Sequence, residues 1–408
     1  MSERSFRQRF GALERSVEPP SRSRPADEEW PLPAGARLLD TEAGPCVVIE
    51  RVVGGEPVSA AFDRFAMAAV DDGRYQQPER LVFLDTETTR LSGRSGTYAF
   101  LLAIGRFIGR SFLLRQFFMR HPGDERPVLS GLAESLQDVG GLVTYNGRSF
   151  DVPLLDTRYR MHAQSFPAPA THIDLLSPAR AIWKHRLPNC ALGTIERMVL
   201  GVTRGLDAPG WMIPQMYFDY LRTRQVGDLA PVFEHNRSDI LTLARLTAIV
   251  HAYETGRDRP ADAIDRLALA LHRWRTHGSS VALDDLKIGW GVLTVPATLR
   301  LRALREVSVA LKRQRRHAEA QDIWQQALSD PSRDIRVYAA EELAKYLEHW
   351  AGDHELALAV VRRGADGAAL AGDIEAAAAF ERRLRRLEQK IRRGRGDRAA
   401  DEEKTHSP

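Results

Sequence analysis

The run Leu81-Val82-Phe83-Leu84 ends abruptly in Asp85-Thr86-Glu87-Thr88-Thr89. Four consecutive apolar residues that stop at polar ones read as a short buried strand, the kind found inside α/β sheets. Residues two apart on a strand share a face, so Asp85 and Glu87 project together from its end. Two carboxylates held that close repel each other unless a cation intervenes. Hard oxygen ligands suit Mg²⁺ or Mn²⁺. Taken alone, the pair fits equally well a strand that runs out into a solvated acidic turn.

The flanking sequence narrows the fold. Tyr98 to Phe107 and Phe112 to Phe118 predict two further strands around Gly109-Arg110. Pro127 to Gln137 predicts a helix with Leu129, Leu132, Ala133 and Leu136 on one face. Gly141 to Tyr145 predicts a strand, Pro153 to Met161 a helix, Thr171 to Leu176 a strand and Asp228 to Tyr253 a long helix. Strands that first pair by hairpins and then alternate with helices give a mixed α/β sheet. Residues 36–75 form a short β-rich lead-in, where Val47-Val48-Ile49 and Val52-Val53 precede the turn signal Gly54-Gly55 and suggest a hairpin. Residues 1–35 are rich in Arg, Ser, Glu and Pro, without an apolar signal core, and read as a disordered tail. Beyond Asp258 the β-branched runs vanish and Ala, Leu, Glu and Arg dominate as far as Arg393. Ala351-Gly-Asp-His-Glu355 recurs approximately as Ala371-Gly-Asp-Ile-Glu375, which suggests stacked helix pairs of TPR-like type. The expected organisation is therefore an α/β unit over 76–257, an α-helical TPR-like domain over 258–393 and a disordered tail over 394–408.

Composition bounds the chemistry. The 408 residues are 43% hydrophobic, enough for a real core, and the formal net charge of +4 is compatible with a polyanionic partner. Two isolated cysteines, Cys46 and Cys190, make neither a disulfide framework nor a zinc cluster, which fits a reduced, cytoplasmic setting. No apolar run approaches the roughly 18 residues that span a bilayer, so no membrane association is expected. No Walker A sequence is present, and no nucleotide-driven motor is implied.

Two further acids accompany the first pair. In Tyr145-Asn146-Gly147-Arg148-Ser149-Phe150-Asp151-Val152-Pro153, a strand ends, Asn-Gly turns the chain, and Asp151 falls near the start of a helix. Asp151 is well placed to cap that helix, and a carboxylate has acceptor sites enough to hold a cation as well. In Glu234-His235-Asn236-Arg237-Ser238-Asp239, His235 and Asp239 are four apart and neighbours on one helix face. An imidazole there can take a proton from water while Asp239 holds a metal. A plain hydrogen bond on a solvated face has the same spacing.

Together and in this order, the acid pair, Asn-x-x-x-Phe-Asp and His-Asn-x-x-Asp resemble the DEDD exonuclease superfamily, whose fold is ribonuclease H-like. Tyr-Asn-x-x-x-Phe-Asp-x-Pro resembles the proofreading domain of family-B DNA polymerases. From about Leu81 to Ala248 the chain resembles more closely the YprB-type ribonuclease H-like family, in Asp-Thr-Glu-Thr-Thr from Asp85, Gly-Thr-Tyr-Ala-Phe from Gly96 and His-Ile-Asp-Leu-Leu-Ser-Pro-Ala-Arg from His172. Members of that family also resemble the chain in a TPR-like helical C-terminus. The resemblance implies hydrolysis of DNA or RNA phosphodiester bonds, as a 3′–5′ exonuclease using two Mg²⁺ or Mn²⁺ ions. By resemblance, Asp85 bridges the ions, Glu87 and Asp239 hold the nucleophile-side ion, Asp151 supports the other, and His235 orients or deprotonates the water. The alternatives are a structure-specific endonuclease on the same fold, and a helical scaffold with a vestigial nuclease domain.

The sequence departs from the family pattern twice. Arg90 stands where the family has Gly. Three residues separate His235 from Asp239, the spacing of the tyrosine-type enzymes, with His in the Tyr place. Candidate substrate contacts are Arg94, Tyr98, Asn146, Lys184 and Arg186, although a loop cation, a core aromatic and a solvated charge run explain such residues too. Asp174 is expected to be structural. Trp324 and Trp350 are expected to be core residues on apolar helix faces. Lys312, Arg313, Arg315, Arg316 and the stretch from Arg382 to Arg393 offer nonspecific backbone affinity, and the repeats offer a surface for a protein partner.

Overall fold

The computed structural model describes residues 30–55, 60–61, 63, 78–90, 96–205, 207–278, 280–370 and 374–405. Among them seven strands form one sheet in the order β1-β2-β5-β4-β3-β6-β7. They are β1 Ala36–Thr41, β2 Gly44–Val53, β3 Leu81–Thr88, β4 Ala99–Ile108, β5 Ser111–Phe118, β6 Gly141–Thr144 and β7 Thr171–Asp174. The pairs from β1 through β5 and β4 to β3 are antiparallel, whereas β3, β6 and β7 run parallel. This is the mixed sheet that the pattern predicts, and it accords with the ribonuclease H-like fold that the resemblance implies. The lead-in hairpin is present, with its turn elsewhere. Val47 to Val53 lie on one continuous strand, the partner is Ala36–Thr41, and the chain reverses at Glu42-Ala43. Because β2 also pairs with β5, the hairpin extends the main sheet.

Helices α1 Glu125–Ser135, α2 Asp151–Met161, α3 Leu176–Trp183, α4 Leu192–Met198, α5 Ile213–Thr223 and α6 Ala230–Glu254 flank the sheet. The period-2 rule decides what each residue of β3 meets. Leu81 and Phe83 pack in one core with Ile240, Leu243 and Ala244 of α6 and with Ala179, Ile182 and Trp183 of α3. Val82 and Leu84 pack in another, with Leu129 and Leu132 of α1 and Tyr217 and Tyr220 of α5. Close approach of α6 depends on Gly105 in β4, where a Cβ would lie 2.6 Å from Ile240 Cγ2.

Among the described residues seven further helices follow: α7 Ala263–His277, α8 Ser280–Gly289, α9 Ala297–Arg313, α10 His317–Ala327, α11 Arg333–Tyr346, α12 His354–Leu370 and α13 Ile374–Thr405. Each packs mainly on its neighbours in sequence around one shared core. Leu269 of α7 joins the core under α6, and Arg186 reaches Asp265 of α7 at 2.7 Å, so the helical part is docked on the α/β part.

Three details differ from the sequence expectations. Trp30 packs against His121 and Tyr220, with the Arg224 guanidinium 4.6 Å from its ring, so the chain is anchored there by aromatic burial. Most of the expected tail, residues 1–29, lies outside the described residues. Helix α13 continues to Thr405, through the stretch expected to be disordered, where Ala, Arg, Glu and Lys are strong helix formers. Trp324 is buried as expected, its indole N–H donating to Ser308 Oγ at 2.9 Å. Trp350 is not core: it is 68% exposed. It lies in a π-helical turn, Leu347–Ala351, that follows α11. The wider turn shifts the apolar stripe, so Leu347 stays buried while Trp350 rotates outward.

Candidate active site

Asp85 and Glu87 continue the β3 face that carries Leu81 and Phe83, and so they face α6. On α6 the turns preceding Leu243 carry His235, Asn236 and Asp239. One ligand atom each from Glu87, His235 and Asp239 lie within 4.8 Å of one another. His235 Nε2 is 3.4 Å from Asp239 Oδ2 and 3.9 Å from Glu87 Oε1. Glu87 and Asp239 are each 13% exposed at the side chain and His235 18%, so the cluster is sheltered yet open to solvent. Asp85 Oδ2 accepts a hydrogen bond from Asn236 Nδ2 at 2.8 Å. Asn236 is fully buried, and its Oδ1 accepts from Gln116 Nε2 at 3.1 Å. Gln116 also donates to the Phe233 carbonyl at 2.8 Å. This amide chain fixes Asp85 against the sheet.

Asp151 is not the helix cap that its position suggests. Helix α2 begins at Asp151 itself, and the capping position is Phe150, which makes no side-chain cap bond. The Asp151 carboxylate turns instead to β3, where Thr86 Oγ1 donates to its Oδ1 at 2.5 Å. The preceding turn needs its Asn-Gly pair. Asn146 has a left-handed φ of 65°, and a Cβ on Gly147 would lie 2.5 Å from the Thr144 side chain. Asp174 pins this turn by accepting from the backbone N–H groups of Asn146 at 2.7 Å, Arg148 at 3.1 Å and Leu176 at 3.1 Å. Its role is structural, as expected.

Two residues that the sequence reading missed reach the cluster from the segment between α4 and α5. The Arg204 guanidinium donates to Asp239 Oδ1 and, at 2.5 Å, to Glu196 Oε2. Asp207 Oδ1 lies 2.6 Å from His235 Nδ1. Arg204 Nη1 also approaches Nδ1, at 3.2 Å. The much shorter Asp207 contact favours the tautomer in which Nδ1–H donates to Asp207, which leaves the Nε2 lone pair facing the acids. No local pattern marks Arg204 or Asp207 in the sequence.

Burial pushes the Asp85 carboxyl well above the ordinary range, reinforced by the charges of Asp239 and Asp151 and opposed by the Asn236 bond and Arg204. Burial does the same to Glu87, with Asp85, Asp239 and Asp151 adding to it and Arg204 opposing. Asp151 is raised to about 6, chiefly by burial, against the lowering effect of the Thr86 hydrogen bond. An all-oxygen set whose members resist joint ionisation fits a divalent cation, with His235 beside it. The folded state holds protons on these acids at pH values where the unfolded chain has lost them, so the metal-free protein loses stability as pH rises from about 4 through 6 and above. The melting temperature in EDTA should be lower at pH 8 than at pH 5.5, and Mg²⁺ or Mn²⁺ should raise it at pH 8. Calorimetry that finds no effect of divalent ions at pH 8 would contradict the assignment.

The remaining candidates fall elsewhere. Arg94 lies outside the described residues. The Tyr98 ring carries the Arg158 guanidinium 4.1 Å from its centroid, and Arg158 is itself held by Glu125 at 2.5 Å, so Tyr98 is committed to packing. Asn146 serves through its backbone. Arg186 is engaged by Asp265, and Lys184 lines a small recess with His272, Arg275 and Arg302 of the helical part. Arg90 does not adopt a positive φ, so the backbone there does not require glycine. A bulge between Glu87 and Thr88 turns the strand end instead.

Residues 82–251 match a family model described as RNase_H superfamily. The Bacillus subtilis (strain 168) protein called uncharacterized protein YprB is 30% identical over 325 residues, which cover 78% of this chain and 77% of the relative. The structure of the family B DNA polymerase from the hyperthermophilic archaeon Pyrobaculum calidifontis aligns at 16% identity and a TM-score of 0.36, over 52% of this chain and 28% of the polymerase. No helix among the described residues is long and apolar enough to cross a membrane.

Proposed function

Because the chain belongs to the family of Bacillus subtilis YprB and carries a ribonuclease H superfamily domain, we propose that it is a divalent-metal-dependent nuclease that removes nucleotides from the 3′ end of DNA or RNA. The observation that carries this reading is the convergence of Asp85 and Glu87 from β3 with His235 and Asp239 from α6, beside an Asp151 fixed by Thr86. Asp85, Glu87, Asp239 and Asp151 would hold two Mg²⁺ or Mn²⁺ ions. Such ions neutralise charge developing on a phosphodiester and ease deprotonation of the attacking water. The chain's own contribution is orientation and proton transfer. Asn236 and Gln116 hold Asp85, and Asp207 holds His235 so that Nε2 takes the water proton. Arg204 balances the negative charge of Asp239 and Glu196. The helices α7 to α13, read as a TPR-like array, would extend the surface available to long substrates or to a protein partner. A vestigial centre is disfavoured, since all four acids and their supports are intact.

The test is the product ladder. Full-length protein stripped with EDTA and restored with Mg²⁺ or Mn²⁺ should convert 5′-labelled single-stranded DNA, duplex DNA or RNA to a stepwise ladder ending in mononucleotides. Internal fragments at early times would assign endonucleolytic cutting to the same centre. Failure to cut any of the three substrates with either metal would overturn the nuclease reading.

A further inference from the structure

On the helical part, far in sequence from the acid cluster, a recess of about 310 Å³ is lined by Lys312, His317, Lys345, Trp350 and Arg386 among others. The His317 ring neighbours two aromatic rings. Trp350 is 4.3 Å away, tilted by 31°, and Tyr346 is 6.1 Å away on an almost parallel plane. His317 Nε2 is buried and has no hydrogen-bond partner among the described residues. The π-helical turn presents the indole of Trp350 to solvent, and such turns frequently occur at functional sites.

The charge around this aromatic group is built outward from buried acids. Glu348 is buried and collects Arg383 at 2.8 Å, Arg386 at 2.7 Å and Lys390 at 2.9 Å. Burial works to raise its pKa, but the bonds from Arg386 and Lys390 outweigh it and hold the carboxyl at about 2. Glu342 collects Lys312 at 2.5 Å and Lys345 at 2.9 Å, and Lys345 also meets Glu341 at 2.7 Å. Five cations thus surround three carboxylates. The side chains of Lys312, Lys345, Arg386 and Lys390 remain substantially exposed, so they keep donors for another anion.

We propose that this recess is a second nucleic-acid site, which holds single-stranded substrate by stacking a base on Trp350 and meeting its phosphates with Lys312, Lys345 and Arg386. An open indole face beside a group of cations is the combination that binds single strands without reading their sequence. A phosphorylated or acidic peptide would use the cations but leave the indole face without a purpose. The proposal rests on the acid cluster being a nuclease centre. The site would retain the strand while its 3′ end is processed at the separate acids of β3, α2 and α6.

The experiment measures binding and cleavage separately on full-length protein. Binding of fluorescein-labelled (dT)20 and (U)20 is followed by anisotropy in EDTA at several salt concentrations. Hydrolysis of (dT)4 and (U)4 is measured with Mn²⁺. The variants are Trp350→Ala, which removes an exposed ring, and Arg386→Gln, which leaves Glu348 with Arg383 and Lys390. Trp350→Ala should weaken binding of at least one long oligomer by about tenfold. Arg386→Gln should weaken it less and lower its salt dependence by about one released counterion. Both should hydrolyse the short oligomers at the wild-type rate. Wild-type affinity of Trp350→Ala for both long oligomers would overturn the proposal. Absence of short-oligomer hydrolysis in the wild type would count against the nuclease reading instead.

Discussion

Replacing Asp85 with Asn should lower turnover by about 10³-fold or more and, in EDTA at pH 8, should raise the melting temperature. The two effects share one cause. Asp85 lies in the field of Asp239 and Asp151, and its carboxyl is raised by burial and by both charges. That repulsion is useful only when a divalent cation is bound between the acids. The amide keeps the side-chain volume, and its oxygen still accepts from Asn236 Nδ2. It removes one of the negative ligands proposed for the metals, and losses of this order accompany removal of a group that stabilises charge in a transition state. Without metal it removes a buried like charge, so the apo fold gains stability, the usual trade between stability and activity at a strained centre. Single-turnover rates with saturating Mn²⁺, together with calorimetry in EDTA, read both effects. Full activity would remove Asp85 from the catalytic set. Lost activity with a lower melting temperature would mean that Asp85 supports the fold and not the reaction.

The parts of this site that were legible in the sequence are those set by local periodicity. Asp85 and Glu87 share a face because a strand has period two, and His235 and Asp239 share one because a helix repeats every 3.6 residues. The order of strands and helices was legible for the same reason, and with it the mixed sheet. The role of Asn236 is not legible locally, because its partner Asp85 is 151 positions away and only the packing of α6 on β3 brings them together. That packing depends on Gly105, whose missing side chain has no periodic signature. Arg204 and Asp207 lie between two helices, where no repeat predicts direction. The two roles open to Asp151, cap and cation ligand, are not separated by the sequence, because capping is a local rule and Thr86 is a tertiary partner. Trp350 was misread because an α-helical period was carried through a π-helical turn.

Changing His235 to Ala should lower turnover by about 10²–10⁴-fold, the usual worth of a general base. Asp207→Asn should cost less, about 10- to 100-fold, because it removes the orienting partner and leaves the imidazole in place. The geometry behind both is one chain of contacts, with Asp207 Oδ1 2.6 Å from Nδ1 on one side of the ring and Asp239 Oδ2 3.4 Å from Nε2 on the other. The same nitrogen that faces the acids is also a competent metal ligand, and Glu87, His235 and Asp239 are mutually close enough to share an ion. Metal titration separates the two roles. A base acts on the water proton, so His235→Ala should leave the Mn²⁺ concentration for half-maximal rate nearly unchanged while the maximal rate falls. A ligand acts on the ion, so the half-maximal concentration should rise and saturating Mn²⁺ should restore most of the rate. His235→Tyr sharpens the distinction, since three residues separate this position from Asp239, as in tyrosine-type enzymes. A phenol that fits the pocket should recover part of the rate if the position handles the water. Recovery of wild-type turnover by His235→Ala in excess Mn²⁺ would exclude His235 as the base and leave it as a fifth ligand to the metals.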